Sequence, residues 1–291
     1  MMWQLYALLS AVSIGFQRII NAYVVKTEDH LAYSWFATCL TSLFFMLLLI
    51  MMGDIALPTS LHAWALALIA GVLWTLITIL GFKSYQLTPL SLRESLSRVD
   101  MLFLLFFSAL LLGESITLVK VLGTGCIFIG LIVLTRQKEK AFGRLTDKGV
   151  QLTLLVAAFH GLVSVIDKRA VVFFLPAFYG FLEYALVPVY LMPVAVKNRD
   201  KIKQIIINKK FIPIIGSVLS VIAYYSRLQA SILTEVSNVF PVLQLSTVIS
   251  ILGGFIFFKE GELRSRIIGS IIMIIGSILI LNPELINAFI Q

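Results

Sequence analysis

The sequence has little charge: Asp, Glu, Lys and Arg supply 13% of its 291 residues, while 59% are hydrophobic. Water-soluble domains carry about a quarter charged residues, so this composition excludes one. Histidine and cysteine are scarcer still, at three and two. Cys39 and Cys126 fall inside apolar runs and share no ligand spacing with each other or with a histidine. They read as packing residues, and neither a metal site nor a cofactor is expected. The chain also lacks a G-x-x-x-x-G-K-[ST] loop, so ATP is not its direct energy source. It has no G-x-S-x-G elbow and no H-E-x-x-H pair, which argues against an intramembrane enzyme.

What is there is apolar length. Mean hydropathy is +0.99, and apolar runs recur near 3–25, 31–53, 63–83, 92–113, 117–135, 149–171, 174–196, 211–231, 236–258 and 266–283. About 20 helical residues span a bilayer, and runs this continuous do not alternate as barrel strands do. The expectation is an all-α integral membrane protein of ten transmembrane helices. The first run has no basic segment before it, no small-residue cleavage pattern, and Arg18 within it, so it reads as a retained helix rather than a signal peptide.

The formal net charge is +8, but the basic residues cluster in connections rather than among exposed aromatics, which speaks against nucleic acid as a partner. Arg136, Lys138, Lys140, Arg144 and Lys148 follow the fifth run; Lys197, Arg199, Lys201, Lys203, Lys209 and Lys210 follow the seventh. The positive-inside rule then puts the loops after odd-numbered helices in the cytoplasm and both termini outside.

Shifted by 146 residues, the sequence aligns with itself without a gap. "LTPLS" at 87–91 meets "LTEVS" at 233–237, and Glu114, Gly123 and Gly130 meet Glu260, Gly269 and Gly276. Gly15 meets Gly161, and Tyr33 meets Tyr179. Two repeats follow, 1–137 and 149–291, joined by a basic loop at 138–148. With five helices each, an odd number, the second copy must enter the membrane from the other side. Inverted repeats place a site at their interface that opens alternately to either face. The recurring glycines, seven apart, mark close helix packing, and the two glutamates, each just before a helix, suit the positive end of its dipole.

The five-plus-five pattern, with "LLLGES" closing the fourth helix and "FFKEGE" the ninth, resembles the EamA branch of the drug/metabolite transporter superfamily, over residues 4–135 and 150–283. The resemblance implies a ten-helix secondary transporter for small metabolites with a central cavity, in a bacterial cytoplasmic membrane. It also implies departures. Multidrug relatives use a glutamate in helix 1 that this chain lacks, and some relatives keep both termini in the cytoplasm.

One stretch breaks the apolar pattern: "SLRESLSRVD" at 91–100. On a helical wheel Ser91, Arg93, Glu94, Ser97, Arg98 and Asp100 share one side, opposite Leu92, Leu96, Val99 and Phe103. The run from Met101 to Gly113 is too short to span alone, so part of this stripe belongs at membrane depth, where each charge facing lipid costs about 2.5–3.5 kcal/mol. Glu94 and Arg98 have i, i+4 spacing for a pair. The second copy carries Val239, Phe240, Gln244 and Ser246 at equivalent positions, so the fold does not require these charges. Two readings remain: a polar cavity wall, or a solvated connection after Pro89.

Further candidates for solute binding or coupling are Gln17, Arg18 and Asn21 in helix 1; His160, Asp167 and Lys168 in helix 6; Glu183 and Tyr184 in helix 7; and Tyr224, Tyr225 and Arg227 in helix 8. Arg18, Lys168, Arg169 and Arg227 could instead snorkel to an interface, and Asp167 could simply pair with a neighbouring cation. The arginines favour an anionic or zwitterionic small molecule; lipids are the other partner, and oligomeric state stays open. Flipping of a lipid-linked solute, by the chain itself or with it as an accessory subunit, is the alternative activity.

Overall fold

A computed structural model of the chain describes residues 2–53, 55, 57–115, 117–135 and 147–259, with positions 268, 269, 271, 272, 275, 276 and 279. Glu260, most of the tenth run and the loop at 136–146 lie outside the described residues. Every regular element among those described is helical.

The helices are α1 (Met2–Val25), α2 (His30–Met52), α3 (Leu61–Leu87), α4 (Leu90–Leu96), α5 (Asp100–Leu112), α6 (Leu118–Thr135), α7 (Lys148–Phe174), α8 (Pro176–Tyr190), α9 (Met192–Lys197), α10 (Arg199–Lys209), α11 (Ile212–Leu233), α12 (Val236–Leu243) and α13 (Leu245–Phe258). Among them α1, α2, α3, α7 and the α12–α13 run are long and apolar enough to cross a bilayer, and α10 with α11 makes a sixth if that bent pair is one span.

Three expected helices are not continuous. The fourth run is α4 and α5 with a 3-10 turn at Ser97–Val99 between them. The ninth breaks at Gln244, between α12 and α13. The position equivalent to Gln244 under the 146-residue shift is Arg98, inside the first break. The seventh run divides at Leu191 into α8 and α9, between Pro188 and Pro193, which have no N–H for the helix ladder. The basic connection after it is no loop either. It forms α10, bent by 94° from α11, with Ile205 buried against α2, Lys201 and Lys203 outward, and Lys209 buried over the Tyr23 ring. Lys201 reaches Asp29, the N-cap of α2, at 2.8 Å. Burial works to raise the Asp29 pKa, but Lys201 and the Ala32 N–H outweigh it and hold the carboxyl below its ordinary value.

The packing repeats with the sequence. α1 runs along α11 and α3 along α7, while α2 meets α8. A Cβ added to Gly15 would lie 2.6 Å from that of Ile249 and 3.1 Å from the Ser246 carbonyl oxygen. Added to Gly161, it would lie 2.7 Å from the Cβ of Phe103 and 3.1 Å from the Asp100 carbonyl oxygen. Every partner differs by the same 146 residues, with first and second halves exchanged. Phe45, Phe174, Tyr179 and Leu228 fill a buried cluster between α2, α7, α8 and α11. Large apolar side chains such as Leu5, Ile50, Phe106 and Phe257 face outward.

Candidate functional site

Between these helices lies a cavity of about 210 Å³. Its wall draws on α1 (Gln17, Arg18, Asn21), α2 (Tyr33, Thr38, Thr41), α3 (Trp74, Thr78, Tyr85), α7 (His160), α8 (Glu183, Tyr184) and α11 (Ser217, Ser220, Tyr224, Arg227). Two of the three helix breaks border it, through Arg93, Ser97 and Asp100 in the fourth run and Leu243 and Gln244 in the ninth. The stripe in 91–100 is thus neither solvated connection nor lipid-facing helix where its side chains are described.

One group of charges gathers around Glu94, whose side chain is fully buried. Arg18 reaches Glu94 Oε2 at 2.7 Å and Arg93 reaches Oε1 at 2.6 Å. Tyr85 donates to Oε1 at 3.0 Å. The Arg93 guanidinium lies 3.7 Å over the Tyr85 ring and donates through Nε to Ser84 Oγ at 3.0 Å. Arg18 also donates to Ser246 Oγ at 3.1 Å. Helix α1 is thereby fastened to two of the broken runs, through α4 and α13. The cations described at Glu94 are Arg18 of α1 and the preceding residue, Arg93, not one at a spacing of four; the Arg98 side chain lies outside the described residues. Asp100 faces His160, Oδ2 to Nδ1 at 3.3 Å.

A second group surrounds Asp167. Arg227 pairs with its Oδ2 at 2.5 Å, Tyr179 donates to Oδ1 at 2.9 Å, and Tyr224 donates to Oδ2 at 3.3 Å. The Trp74 indole N–H points at the same carboxylate, 3.3 Å from Oδ2. Arg227 lies over the rings of Tyr224 and Trp74, 4.7 and 5.2 Å from their centroids. Arg227 does not snorkel: it is 5% exposed. One helical turn along α8 from Tyr179 stands Glu183, 1% exposed, and among the described residues none makes a hydrogen bond to either carboxylate oxygen.

Of the residues expected from sequence, Arg18, Asn21, Arg93, Ser97, Asp100, His160, Glu183, Tyr184 and Tyr224 line the cavity. Glu94 and Asp167 lie behind that wall and orient its arginines. Tyr225 accepts from Gln229 instead. Lys168 is placed elsewhere: it pairs with Glu114 at 3.0 Å and donates to the Thr234 carbonyl at 2.9 Å. Glu114 does not sit on its own following helix, as the dipole argument supposed. After Gly113 (φ 67) turns the chain, its carboxylate accepts the N–H groups of Val236 and Ser237 at 3.0 and 3.1 Å, and the Ser237 hydroxyl at 2.7 Å. It caps α12, in the other half. Lys120 pairs with Glu235 beside it. Trp74 and Tyr85 escaped sequence reading, because an aromatic in an apolar run carries no sign of what it faces.

Residues 1–136 and 147–282 each match the sequence model of the EamA-like transporter family. The chain belongs to that family. It is accordingly a transporter, and its apolar helices make it an integral, multi-pass membrane protein. It is similar to the S-adenosylmethionine uptake transporter of Rickettsia prowazekii (strain Madrid E), at 23% identity over 281 residues, covering 95% of this chain and 91% of that one. A solved structure, described as the crystal structure of a protein, superposes with a TM-score of 0.68 at 15% identity, covering 93% of this chain and 96% of that chain. That likeness shows the fold.

Proposed function

We propose that the chain is a secondary transporter that moves a small polar organic solute across the bacterial cytoplasmic membrane by alternating access. Its ten membrane helices form two inverted repeats, 1–137 and 149–291, joined by the basic loop at 138–148. The exchanged packing at Gly15 and Gly161 supports the inversion, since contacts of this kind swap halves about a two-fold axis in the membrane plane.

One observation carries the reading: a cavity between the halves holds buried groups of both signs, bordered by two helix breaks. Charges at membrane depth are costly and mark solute or ion pathways, and broken helices supply backbone dipoles where transporters bind their cargo. The guanidinium groups of Arg18 and Arg93 have five N–H donors each and suit a solute carboxylate. Trp74, Tyr184 and Tyr224 offer ring faces and hydroxyls.

S-adenosylmethionine has the matching parts: a carboxylate, cationic centres and an aromatic base. The 210 Å³ cavity is smaller than the roughly 300–1,000 Å³ of pockets for drug-sized ligands. Its present volume favours amino-acid-sized solutes, and a nucleoside-bearing one needs the halves to part further. Counterflow into liposomes holding the purified protein tests the function, with labelled S-adenosylmethionine, methionine, organic acids and nucleosides as the panel. Exchange of one class that unlabelled solute competes away supports transport. Absence of counterflow for every class, in vesicles shown to hold folded protein, sinks it.

A further inference from the structure

The cavity holds more buried carboxylate than its arginines satisfy. On the side facing α8, Arg227 is committed to Asp167 at 2.5 Å and to Ser164 Oγ at 3.4 Å, while Glu183 lines the same cavity with both oxygens unpartnered. An ionised carboxylate out of water and without a counter-charge is too costly to persist. A proton or a cation must therefore accompany Glu183. Among the described residues, no neighbouring side chain supplies that cation, since Arg227 is committed to Asp167. The groups acting on Glu183 are Asp167 from α7, Arg227 and Tyr224 from α11, and Tyr179 and Tyr190 on α8 itself. Among the described residues, α2 and α3 bring Phe45 and Trp74 to this corner.

The surroundings suit an organic cation rather than a metal ion. Tyr184 and Tyr224 stand edge to face with centroids 5.3 Å apart, Trp74 meets Tyr224 at 5.6 Å, and Phe45 stacks on Tyr184 at 5.4 Å. Such ring walls attract ammonium and sulfonium groups through their quadrupoles. Pro188, inside α8, has no N–H to give the carbonyl of Tyr184, four residues before it. That backbone oxygen beside Glu183 lacks its usual intrahelical donor and adds negative potential. Arg227, paired with Asp167, offsets only part of that carboxylate's negative potential at Glu183.

We infer that Glu183 is the subsite for a cationic ammonium or sulfonium group of the solute, and that this group and a proton exclude one another there. The inference deepens the transporter reading and rests on it. An arriving cation displaces the Glu183 proton into the cavity water; when the cation leaves, a proton from water on that side replaces it. Carboxylate at one end and cation at the other make the solute an amino-acid derivative with Arg93 and Glu183 as its poles.

The test uses the full-length protein in nanodiscs, with S-adenosylmethionine, S-methylmethionine, glycine betaine and methionine as probes. Affinity is read from thermal shift between about pH 6 and pH 8, and proton release from a pH dye in weak buffer. The cationic probes are expected to bind the wild type with affinity rising about tenfold per pH unit while one proton must leave, and to release protons. Glu183→Gln should lose at least tenfold in affinity for those probes and lose the pH slope; Glu183→Asp should keep the slope. Unchanged affinity and slope in Glu183→Gln, or binding to the wild type without proton release, overturns the inference. So does failure of every cationic probe to bind, and counterflow of an anionic or neutral solute would then leave the transporter reading intact.

Discussion

The hydroxyl of Tyr179 donates to Asp167 at 2.9 Å, and 146 positions earlier that of Tyr33 donates to Asn21 over the same distance. The bond belongs to the shared fold; the charge on Asp167 does not. Its partner Arg227 likewise corresponds to Gly81, so the second half adds an ion pair where the first has an amide and a glycine. Asp167→Asn keeps the acceptor for Tyr179 but strips Arg227 of its counter-ion. Breaking a buried pair costs about 3–5 kcal/mol, and the low end applies because Arg227 borders the cavity. Asp167→Asn with Arg227→Met should recover most of that loss in denaturation of the purified protein. Additive losses would show that the two side chains act independently.

Glu114 sets a pH limit. Burial works to raise its pKa, but hydrogen bonds from Ser237, together with the charge and hydrogen bond of Lys168, outweigh it and hold the carboxyl below its ordinary 4.5. A depressed folded-state pKa means stability that is complete above the unfolded value and lost as pH falls through the folded one. Melting temperature should therefore hold from neutral pH to about 4.5 and then drop. In Glu114→Gln it should be lower at neutral pH, with the gap to wild type closing in acid. A constant gap across the range would detach Glu114 from the acid transition.

Sequence reading reached the helices because membrane thickness imposes their length, and nine of the ten apolar runs coincide with helices or helix pairs here. It did not reach the break in the fourth run. Pro188 and Pro193 in the seventh run and Pro241 in the ninth mark those for bending, but nothing in "SLSRVD" differs locally from a continuous helix, and that break is set by what packs across it. The helix α10 was hidden for another reason: its lysines register as loop charge, while its buried face depends on α2. The duplication was legible in glycine and tyrosine, residues whose size and hydroxyl the packing demands in both halves. Partnerships such as Arg18 with Glu94 join residues 76 apart, and no local pattern encodes them. Lys168 shows the converse: a cation inside an apolar run whose carboxylate lies on the turn after α5.

The glycines at the crossed contacts should differ in tolerance. A Cβ on Gly161 would meet backbone, the Leu104 nitrogen at 2.9 Å and the Asp100 oxygen at 3.1 Å, which cannot rotate away. Overpacking of this kind costs about 1–3 kcal/mol. On Gly253 it would overlap the Cδ1 end of Ile19, which can take another rotamer, and alanine gains roughly 1 kcal/mol in helix propensity over glycine. Gly161→Ala should lower the melting temperature and Gly253→Ala leave it nearly unchanged. The reverse order would mean that the α5–α7 crossing is looser than its geometry.

The internal repeat supplies its own control for the charged cluster. Positions equivalent to Arg18, Arg93 and Glu94 hold Ser164, Val239 and Phe240, none of which can form an ion pair. Replacing single members strands a buried charge, so loss of function in Arg93→Ala alone would confound folding with transport. The triple change Arg18→Ser, Arg93→Val and Glu94→Phe removes two cations and one anion together and substitutes residues the fold already accommodates at the related crossing. Hydrophobic replacement of buried ion groups is often neutral or stabilising, so the triple variant should remain monodisperse with near wild-type helix content and melting temperature. Counterflow of any carboxylate-bearing solute should fall at least tenfold, because no guanidinium then remains on that side among the described cavity residues. A single Arg93→Lys exchange should fall between the two, since lysine keeps the charge but cannot reach Ser84, Tyr85 and Glu94 from one planar fork. Full counterflow in the folded triple variant would assign the arginines to structure and leave the carboxylate pole without residues.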